Sequence, residues 1–260
     1  MKRHLLAKLW LSLWFGGSFI WWAFGSRPAF VLNRVLSEPR IPSLPAGADA
    51  YGRNLIEVLS QASLLSFAFA AVCVIASAAV ALFVAGLTPN LPDWFSRPIE
   101  WTLQFLLAFP SLLFAIMVAG FLGPGRTTVA AALILGSAPG LTRVLWVRAR
   151  EISQQEFIWA ARSLGASPLR LAIKHYLPHL SSLVSVKIPS MLAHAIVAEA
   201  SLSFLGLGFP VGHESWGSLL AQARDYLIEA PHISIFVGTP LVLSLLALEV
   251  ISKPARDELV

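Results

Sequence analysis

Few residues in this sequence could do chemistry, and two of them share one apolar stretch. Glu199 is its most deeply placed ionisable residue, and His194 precedes it by slightly more than one helical turn. An ionisable group among apolar residues is costly to desolvate, so its presence indicates a role inside a helix bundle or along a pathway. Two such groups without a third partner do not make a catalytic constellation. We expect them to line a pathway or to hydrogen-bond within the bundle.

No other pattern in the sequence is typical of an enzyme. A Ser, His and Asp order, a GxSxG turn and metal-ligand spacing are all missing. Residues 120–127, GFLGPGRT, come close to the phosphate-binding loop GxxxxGK[ST]. They follow an apolar helix instead of a strand, however, and Pro124 offers no backbone N–H to a phosphate. We therefore predict a tight turn here, and no ATP site, cofactor or metal in this chain.

The composition is that of a membrane protein. Of the 260 residues, 57% are hydrophobic and 13% are charged, whereas soluble domains carry about 25% charged residues. No charge occurs between Glu57 and Asp93, or between Glu100 and Arg126. Since about 20 apolar residues cross a bilayer, the sequence predicts an all-α polytopic membrane protein.

Six segments are apolar and long enough to span a membrane: residues 9–24, 58–87, 99–122, 127–146, 182–209 and 233–251. We expect an N-terminal helix within 1–25, a Pro-rich connection over 26–57, a five-helix core over 58–251, and a tail over 252–260. The basic start also resembles a signal peptide that could be cleaved near residues 23–25. Because five spans follow, we favour an uncleaved first helix.

Two features of the spans predict how the helices pack. A small residue recurs at every fourth position of the second span, at Cys73, Ser77, Ala81 and Ala85. Such a face lets another helix approach closely, although a helix that is simply rich in alanine is an equal interpretation. Pro110 lies inside the third span and should kink it, because proline cannot donate to the helical ladder.

The distribution of basic residues predicts the orientation. Six spans put both termini on one side. With that side in the cytoplasm, eleven Lys and Arg residues fall inside and six outside, as the positive-inside rule favours. The inside set is Lys2, Arg3, Lys8, Arg97, Arg148, Arg150, Arg162, Arg170, Lys174, Lys253 and Arg256, and the outside set is Arg27, Arg34, Arg40, Arg53, Arg126 and Arg224. The loop over residues 147–180 should therefore be cytoplasmic.

That loop contains the longest water-compatible segment, SQQEFIWAARSLGASPLRLAIKHYLP over residues 153–178. Ser153 and Glu156 have the spacing of a capping box and should begin a short helix. Gly165 should end it, since glycine readily adopts the left-handed conformation found after a helix. Ser167 should cap a second helix with Pro168 at its first position.

Apolar stripes complete this predicted helix-turn-helix element. The first helix carries the stripe Phe157, Ala161 and Leu164, and the second carries Leu169, Ile173, Tyr176 and Leu177. Pro178 should stop the second helix. One interpretation is a DNA-binding helix-turn-helix with Arg170 and Lys174 in a major groove, but membrane spans confine the element at both ends. A carrier or channel that works alone is another alternative.

The loop also resembles the signature of permease subunits of binding-protein-dependent ABC importers, in which two alanines, a glycine and a closing Leu-Pro mark the segment that docks on the ATPase. Here these residues are Ala160, Ala161, Gly165, Leu177 and Pro178. More narrowly, the chain is similar to the second membrane subunit of dipeptide, oligopeptide and nickel importers. The similarity covers residues 49 to 257 and includes the stretches AYGRNLIEVL, LLAFPSLLFAI, EFIWAARSLGAS and AEASLSFLGLG.

The resemblance implies a transport subunit of the bacterial inner membrane, not an enzyme. Its partners would be a homologous second permease, two cytoplasmic ATPases that bind ATP, an extracytoplasmic solute-binding protein and lipid, with no nucleic acid. Glu156, Phe157 and Trp159 would join the motif in contacting the ATPase. Trp159 stands where the family usually has glutamate, and Trp101, Gln104 and Asn54 replace other usual charged residues. These departures fit a divergent substrate, a divergent partner or weaker coupling.

Overall fold

Helices form nearly all the regular structure of the computed structural model, which describes residues 2–25, 28–39, 44–210 and 212–253. Within these residues the α-helices are α1 (Lys2–Phe24), α2 (Leu55–Leu87), α3 (Asp93–Ala108), α4 (Ser111–Leu122), α5 (Arg126–Ser153), α6 (Glu156–Ser163), α7 (Pro168–Leu171), α8 (Leu177–Phe204), α9 (Trp216–Arg224) and α10 (Pro231–Ser252). The predicted tail beyond residue 253 and parts of the 26–57 connection lie outside the described residues. The all-helical prediction is confirmed.

Four helices of the described chain are long and apolar enough to cross a membrane: Leu55–Leu87, Arg126–Ser153, Pro168–Phe204 and Pro231–Ser252. The pair Trp94–Ala108 and Ser111–Leu122 makes a fifth if it counts as one span. α1 has 23 residues but is not among them, because Lys8 and four tryptophans make it less hydrophobic. The structure therefore supports four or five spans and does not confirm six.

The chain breaks sharply at Pro110. α3 and α4 meet at 96°, so the predicted kink is a full interruption. Phe109 is extended, with φ −88° and ψ 134°, because a residue before proline is sterically disfavoured in the helical region. The segment 120–127 forms the predicted turn, since α4 ends at Leu122 and α5 begins at Arg126.

The small-residue face of α2 is buried against α5 in the most extensive helix contact of the described chain. Cys73, Ser77, Ala81 and Ala85 are all buried. The hydroxyl groups of Ser77 and Ser137 lie 2.8 Å apart across the contact. The close-approach interpretation is therefore confirmed, because larger side chains would separate the two helices.

The bundle has two ends, which we name the Gly165 end and the Arg53 end. The Gly165 end comprises α6, α7 and the C-terminal ends of α2 and α5, which pack in one apolar cluster. The Arg53 end comprises residues 44–54, α9 and the first turns of α2 and α10, which pack in a second cluster. α2, α5 and α8 connect the two ends.

Candidate functional site

The first short helix at the Gly165 end begins later than its cap was predicted. Ser153 is the last residue of α5, and its hydroxyl donates to the carbonyl oxygen of Arg150 at 2.7 Å. The predicted capping box is therefore wrong. α5 continues past the predicted span end at Trp146, and a serine still within a helix commonly bonds back to a carbonyl of the preceding turn. α6 starts at Glu156 after Gln155, which makes no side-chain cap.

Gly165 ends α6 as predicted. Its φ is +81°, and its N–H donates to the carbonyl oxygen of Arg162 at 2.9 Å. The N–H of Ala166 donates to the carbonyl oxygen of Ala161 at 3.0 Å. These two bonds form a Schellman motif, which satisfies carbonyls that a helix end leaves unpaired. The turn is thus determined locally by a residue without a side chain.

The second short helix begins as predicted but does not stop. The Ser167 hydroxyl accepts from the N–H of Arg170 at 3.3 Å, and Pro168 follows it. The chain then runs from α7 through a π turn, Ala172–Tyr176, directly into α8. The prediction that Pro178 ends the helix is wrong. The π turn widens the helix just before the proline ring, where a regular turn would bring that ring against the carbonyl of Lys174.

Ile158 and Leu171, which the sequence did not single out, anchor these helices to the bundle together with Tyr176 of the predicted stripe. Ile158, Leu171 and Tyr176 are almost fully buried in the cluster that includes Ala81 and Leu145. Each lies among residues that also form exposed apolar positions, so hydrophobicity alone did not distinguish them. Ile158 of α6 and Leu171 of α7 thus hold both short helices against α2, α5 and α8.

The outer side of α6 and α7 presents large apolar residues to the surroundings. Trp159 is 64% exposed and Leu164 is 89% exposed. The remaining members of this exposed apolar surface are Phe157, Leu169 and Ile173. The predicted stripe of the second helix is therefore divided, since Tyr176 is buried while Leu169 and Ile173 are not. Several large exposed apolar side chains on two consecutive helices indicate a site for another protein or a membrane.

The charge around this surface is positive. Residues 148–176 carry five cationic residues against two acidic ones. Arg148 pairs with Glu151 at 2.7 Å in an exposed ion pair. The same segment thus carries exposed charged groups as well as exposed apolar ones, a combination that is common in transient protein interfaces.

The structure brings most of the predicted docking residues together. Glu156, Ala160, Gly165 and Pro178 are exposed, and Ala161 and Leu177 are half-buried. The ring of Phe157 lies 5.8 Å from the ring of His175 and 6.1 Å from that of His179. α6 thus lies beside the π turn and the start of α8, so the two parts of the motif contribute to one surface.

Glu199 and His194 lie on different faces of α8. Glu199 is fully buried, and its carboxylate accepts from Ser66 at 2.9 Å and from Ser203 at 2.7 Å. His194 is exposed, and its ring Nδ1 lies 2.7 Å from the carbonyl oxygen of Ser190. Glu199 is thus a bundle-polar residue. His194 remains a candidate for a pathway or for an interface.

Comparison with known proteins identifies the class to which this arrangement belongs. Residues 77–253 match the family described as "Binding-protein-dependent transport system inner membrane component". This match covers more than half of the chain, and the chain belongs to that family. It is a permease subunit of a binding-protein-dependent ABC importer, and therefore a transport component of an inner membrane. A DNA regulator and a carrier that works alone are not supported.

Individual relatives give the same result. The chain is 32% identical over 238 residues to peptide transport system permease proteins of Brucella suis biovar 1 (strain 1330) and Brucella abortus biovar 1 (strain 9-941). These matches cover 92% of this chain and 80% of each relative. It is also 32% identical over 213 residues to the glutathione transport system permease protein GsiD of Escherichia coli O6:K15:H31, covering 82% of this chain and 70% of GsiD.

Proposed function

We propose that this permease forms half of the pathway through which an importer moves short peptides or a related small solute. The names of the relatives support this class, since they transport peptides or glutathione, itself a short peptide. Nickel remains the other cargo that the sequence resemblance implies. The observation that carries the proposal is the exposed apolar surface at the Gly165 end, which lies beside a helix that runs the length of the bundle.

The partners follow from the family and from this surface. The importer contains a second, homologous permease, two cytoplasmic ATPases that bind and hydrolyse ATP, and an extracytoplasmic solute-binding protein. One ATPase docks on α6 and α7, where Trp159 and Leu164 enter its groove. Apolar side chains at the centre of such a contact and charges at its rim match the usual anatomy of a protein interface. The chain supplies the pathway, and its partners supply the energy.

Continuity between α7 and α8 supports a mechanical role for the docked segment. Pro168–Phe204 has 37 residues, which at 1.5 Å per residue extends about 55 Å. A movement of the ATPases that shifts α6 and α7 therefore tilts α8 as a rigid element. Such rocking of helices around a central pathway changes the side from which that pathway opens.

The orientation that fits this mechanism has both termini in the cytoplasm. α1 then serves as a sixth span, and at 23 residues its length is about 35 Å. α1 packs along α10 and α2, with Trp10 Nε1 donating to Ser244 at 3.2 Å and Trp14 Nε1 donating to Ser63 at 3.3 Å. The Gly165 end faces the cytoplasm, and the Arg53 end faces the binding protein. The excess of basic residues on the Gly165 side supports this arrangement.

Co-purification and transport test the proposal. The tagged chain, expressed with its genomic neighbours, should purify with two ATPase subunits and a second permease. In vesicles, the complex should take up labelled peptide only with ATP and the loaded binding protein. A chain that purifies with no ATPase, or a labelling reagent that reaches residue 165 only from outside the cell, overturns the proposal.

A further inference from the structure

Glu199 accepts hydrogen bonds from hydroxyl groups of two different helices. The hydroxyl of Ser203 in α8 donates to Oε1 at 2.7 Å, and that of Ser66 in α2 donates to Oε2 at 2.9 Å. Within the described part of the chain, no Lys, Arg or His pairs with this carboxylate. These hydrogen bonds therefore replace the water that a buried carboxylate loses.

Ser66 connects Glu199 to the start of α9. Its hydroxyl oxygen also accepts from the N–H of Trp216 at 3.1 Å. Trp216 is the first residue of α9, and the first N–H groups of a helix have no partner within that helix. Ser215 accepts from the N–H of Ser218 at 3.3 Å. The carboxylate thus orients Ser66, which satisfies one N–H group at the N-terminus of α9, while Ser215 satisfies another.

The backbones of α9 and α8 touch at this same point. A Cβ atom added to Gly217 would overlap the carbonyl oxygen of Ala200 and would lie 2.6 Å from its Cα atom. Not even alanine fits here unless α9 moves. Because Ala200 follows Glu199 directly, the close contact and the hydrogen bonds hold one place on α8. α9 therefore cannot slide along α8 without losing both.

From α9, further bonds reach the connection before α2. Glu214 Oε1 accepts from both terminal nitrogens of Arg53 at 3.1 Å, and Glu214 Oε2 accepts from Gln222 at 2.8 Å. Arg53 also pairs with Asp49 at 2.6 Å. Asp49, Arg53, Glu214 and Gln222 are called the Arg53 cluster below. Polar contacts thus run from Glu199 in the bundle interior, through the start of α9, to this cluster at the Arg53 end.

We infer that Glu199 is a positioning residue that makes α9 and the Arg53 cluster follow the movement of α8. This inference rests on the proposed function, in which α8 is moved from the Gly165 end by the ATPases. When α8 tilts, α9 moves with it, and the surface that meets the binding protein changes shape. Glu199 acts here through α9 and need not touch the transported solute.

The test uses the complete complex in vesicles, with the binding protein and a labelled peptide. Glu199→Gln keeps the shape of the side chain but replaces one acceptor oxygen by a donor, so one of the two bonded serines loses its acceptor. Ser66→Ala removes the hydroxyl that donates to Glu199 and accepts from the N–H of Trp216, and it leaves the bond between Ser203 and Glu199 in place. Glu249→Gln is the matched control, because Glu249 in α10 also accepts from a serine, Ser190 at 3.0 Å, and that serine lies in α8.

Glu199→Gln should assemble and hydrolyse ATP at the basal rate, while the stimulation by loaded binding protein falls about tenfold, the loss expected for a hydrogen bond to a charged group. More ATP should be consumed per peptide transported. Ser66→Ala should change both quantities in the same direction by a few-fold. Glu249→Gln should stay within about twofold of the wild type. If Glu199→Gln fails to assemble, the stimulation of ATP hydrolysis in Ser66→Ala decides whether the inference holds.

A distance measurement separates positioning from simple stability. Spin labels at exposed Val197 of α8 and Ile228 after α9 should keep one distance with and without trapped ATP in the wild type. In Glu199→Gln the distribution of distances between the two labels should broaden or shift when ATP is trapped. Wild-type coupling in both the Glu199 and Ser66 variants would refute the inference and leave the proposed function intact. A wild-type complex without ATPases would overturn both.

Discussion

Gly165 offers a direct test of docking, because substitutions there affect the chain and its partner differently. Its φ is +81°, and apart from its two chain neighbours no described residue has an atom within 4 Å of a Cβ atom added at this position. Gly165→Ala and Gly165→Phe therefore meet the same backbone penalty, and because Gly165 is exposed the phenyl ring can point away from this subunit. A larger loss of uptake in the Phe variant than in the Ala variant should therefore come from a partner subunit beside the turn.

The backbone cost of each substitution can be separated from the cost of displacing the ATPase. A non-glycine residue in the left-handed region costs about 1–2 kcal/mol, and asparagine costs less than alanine. A chain with a typical stability of about 5–15 kcal/mol remains folded after such a loss. If the ATPase lies against the turn, the phenyl ring must also displace it. Overpacking costs about 1–3 kcal/mol, which corresponds to roughly 5- to 150-fold in affinity.

The assay compares Gly165→Asn, Gly165→Ala and Gly165→Phe in the assembled complex. Membrane levels of the permease should remain within about twofold, since the backbone cost is small beside the stability of the fold. Peptide uptake and the ATPase retained per permease should decline in the order Asn, Ala and Phe, with the largest step at Phe. Equal uptake by the Ala and Phe variants would show that nothing occupies the space beside the turn. Normal uptake in all three variants would refute the proposal that the ATPases tilt α8 through α6 and α7.

Three further substitutions test the packing and the docking surface. Arg53→Met leaves the carboxylates of Asp49 and Glu214 without their cation and should cost about 3–5 kcal/mol of stability in thermal unfolding, whereas Arg53→Lys should lose less. Ala81→Leu overpacks the contact between α2 and α5 and should destabilise by about 1–3 kcal/mol, measured in the same way. Trp159→Ala should leave unfolding unchanged but reduce the ATPase that co-purifies, while Trp101→Ala, equally exposed elsewhere, should not. Retention of ATPase by Trp159→Ala would contradict docking at this surface.

Local chemistry made several elements predictable. The glycine turn at residue 165 and the Ser167 cap depend on neighbours within a few residues, so the sequence contains what decides them. The break at Pro110 follows from the missing N–H of proline. The small-residue face of α2 was visible as a four-residue repeat, although only its packing against α5 showed that the repeat forms an interface.

Other local predictions failed because the surroundings decide between two allowed outcomes. Ser153 can cap a helix or lie inside one, and the packing of α5 against α2 extends that helix through it. Pro178 can begin a helix or interrupt one, and the π turn before it lets α7 continue into α8. The difference matters for function, since a continuous α8 can transmit movement whereas a helix stopped at Pro178 cannot.

The sequence by itself determined the helical class and the family, because composition and short motifs carry that information. Only the tertiary structure decided which polar groups meet. Glu199 bonds Ser66, 133 positions away, and Arg53 bonds Glu214, 161 positions away. No spacing rule connects residues so far apart. Their pairing arises when the apolar faces of α2, α8 and α9 pack together, because a buried carboxylate must then take its hydrogen bonds from the groups that this packing places beside it.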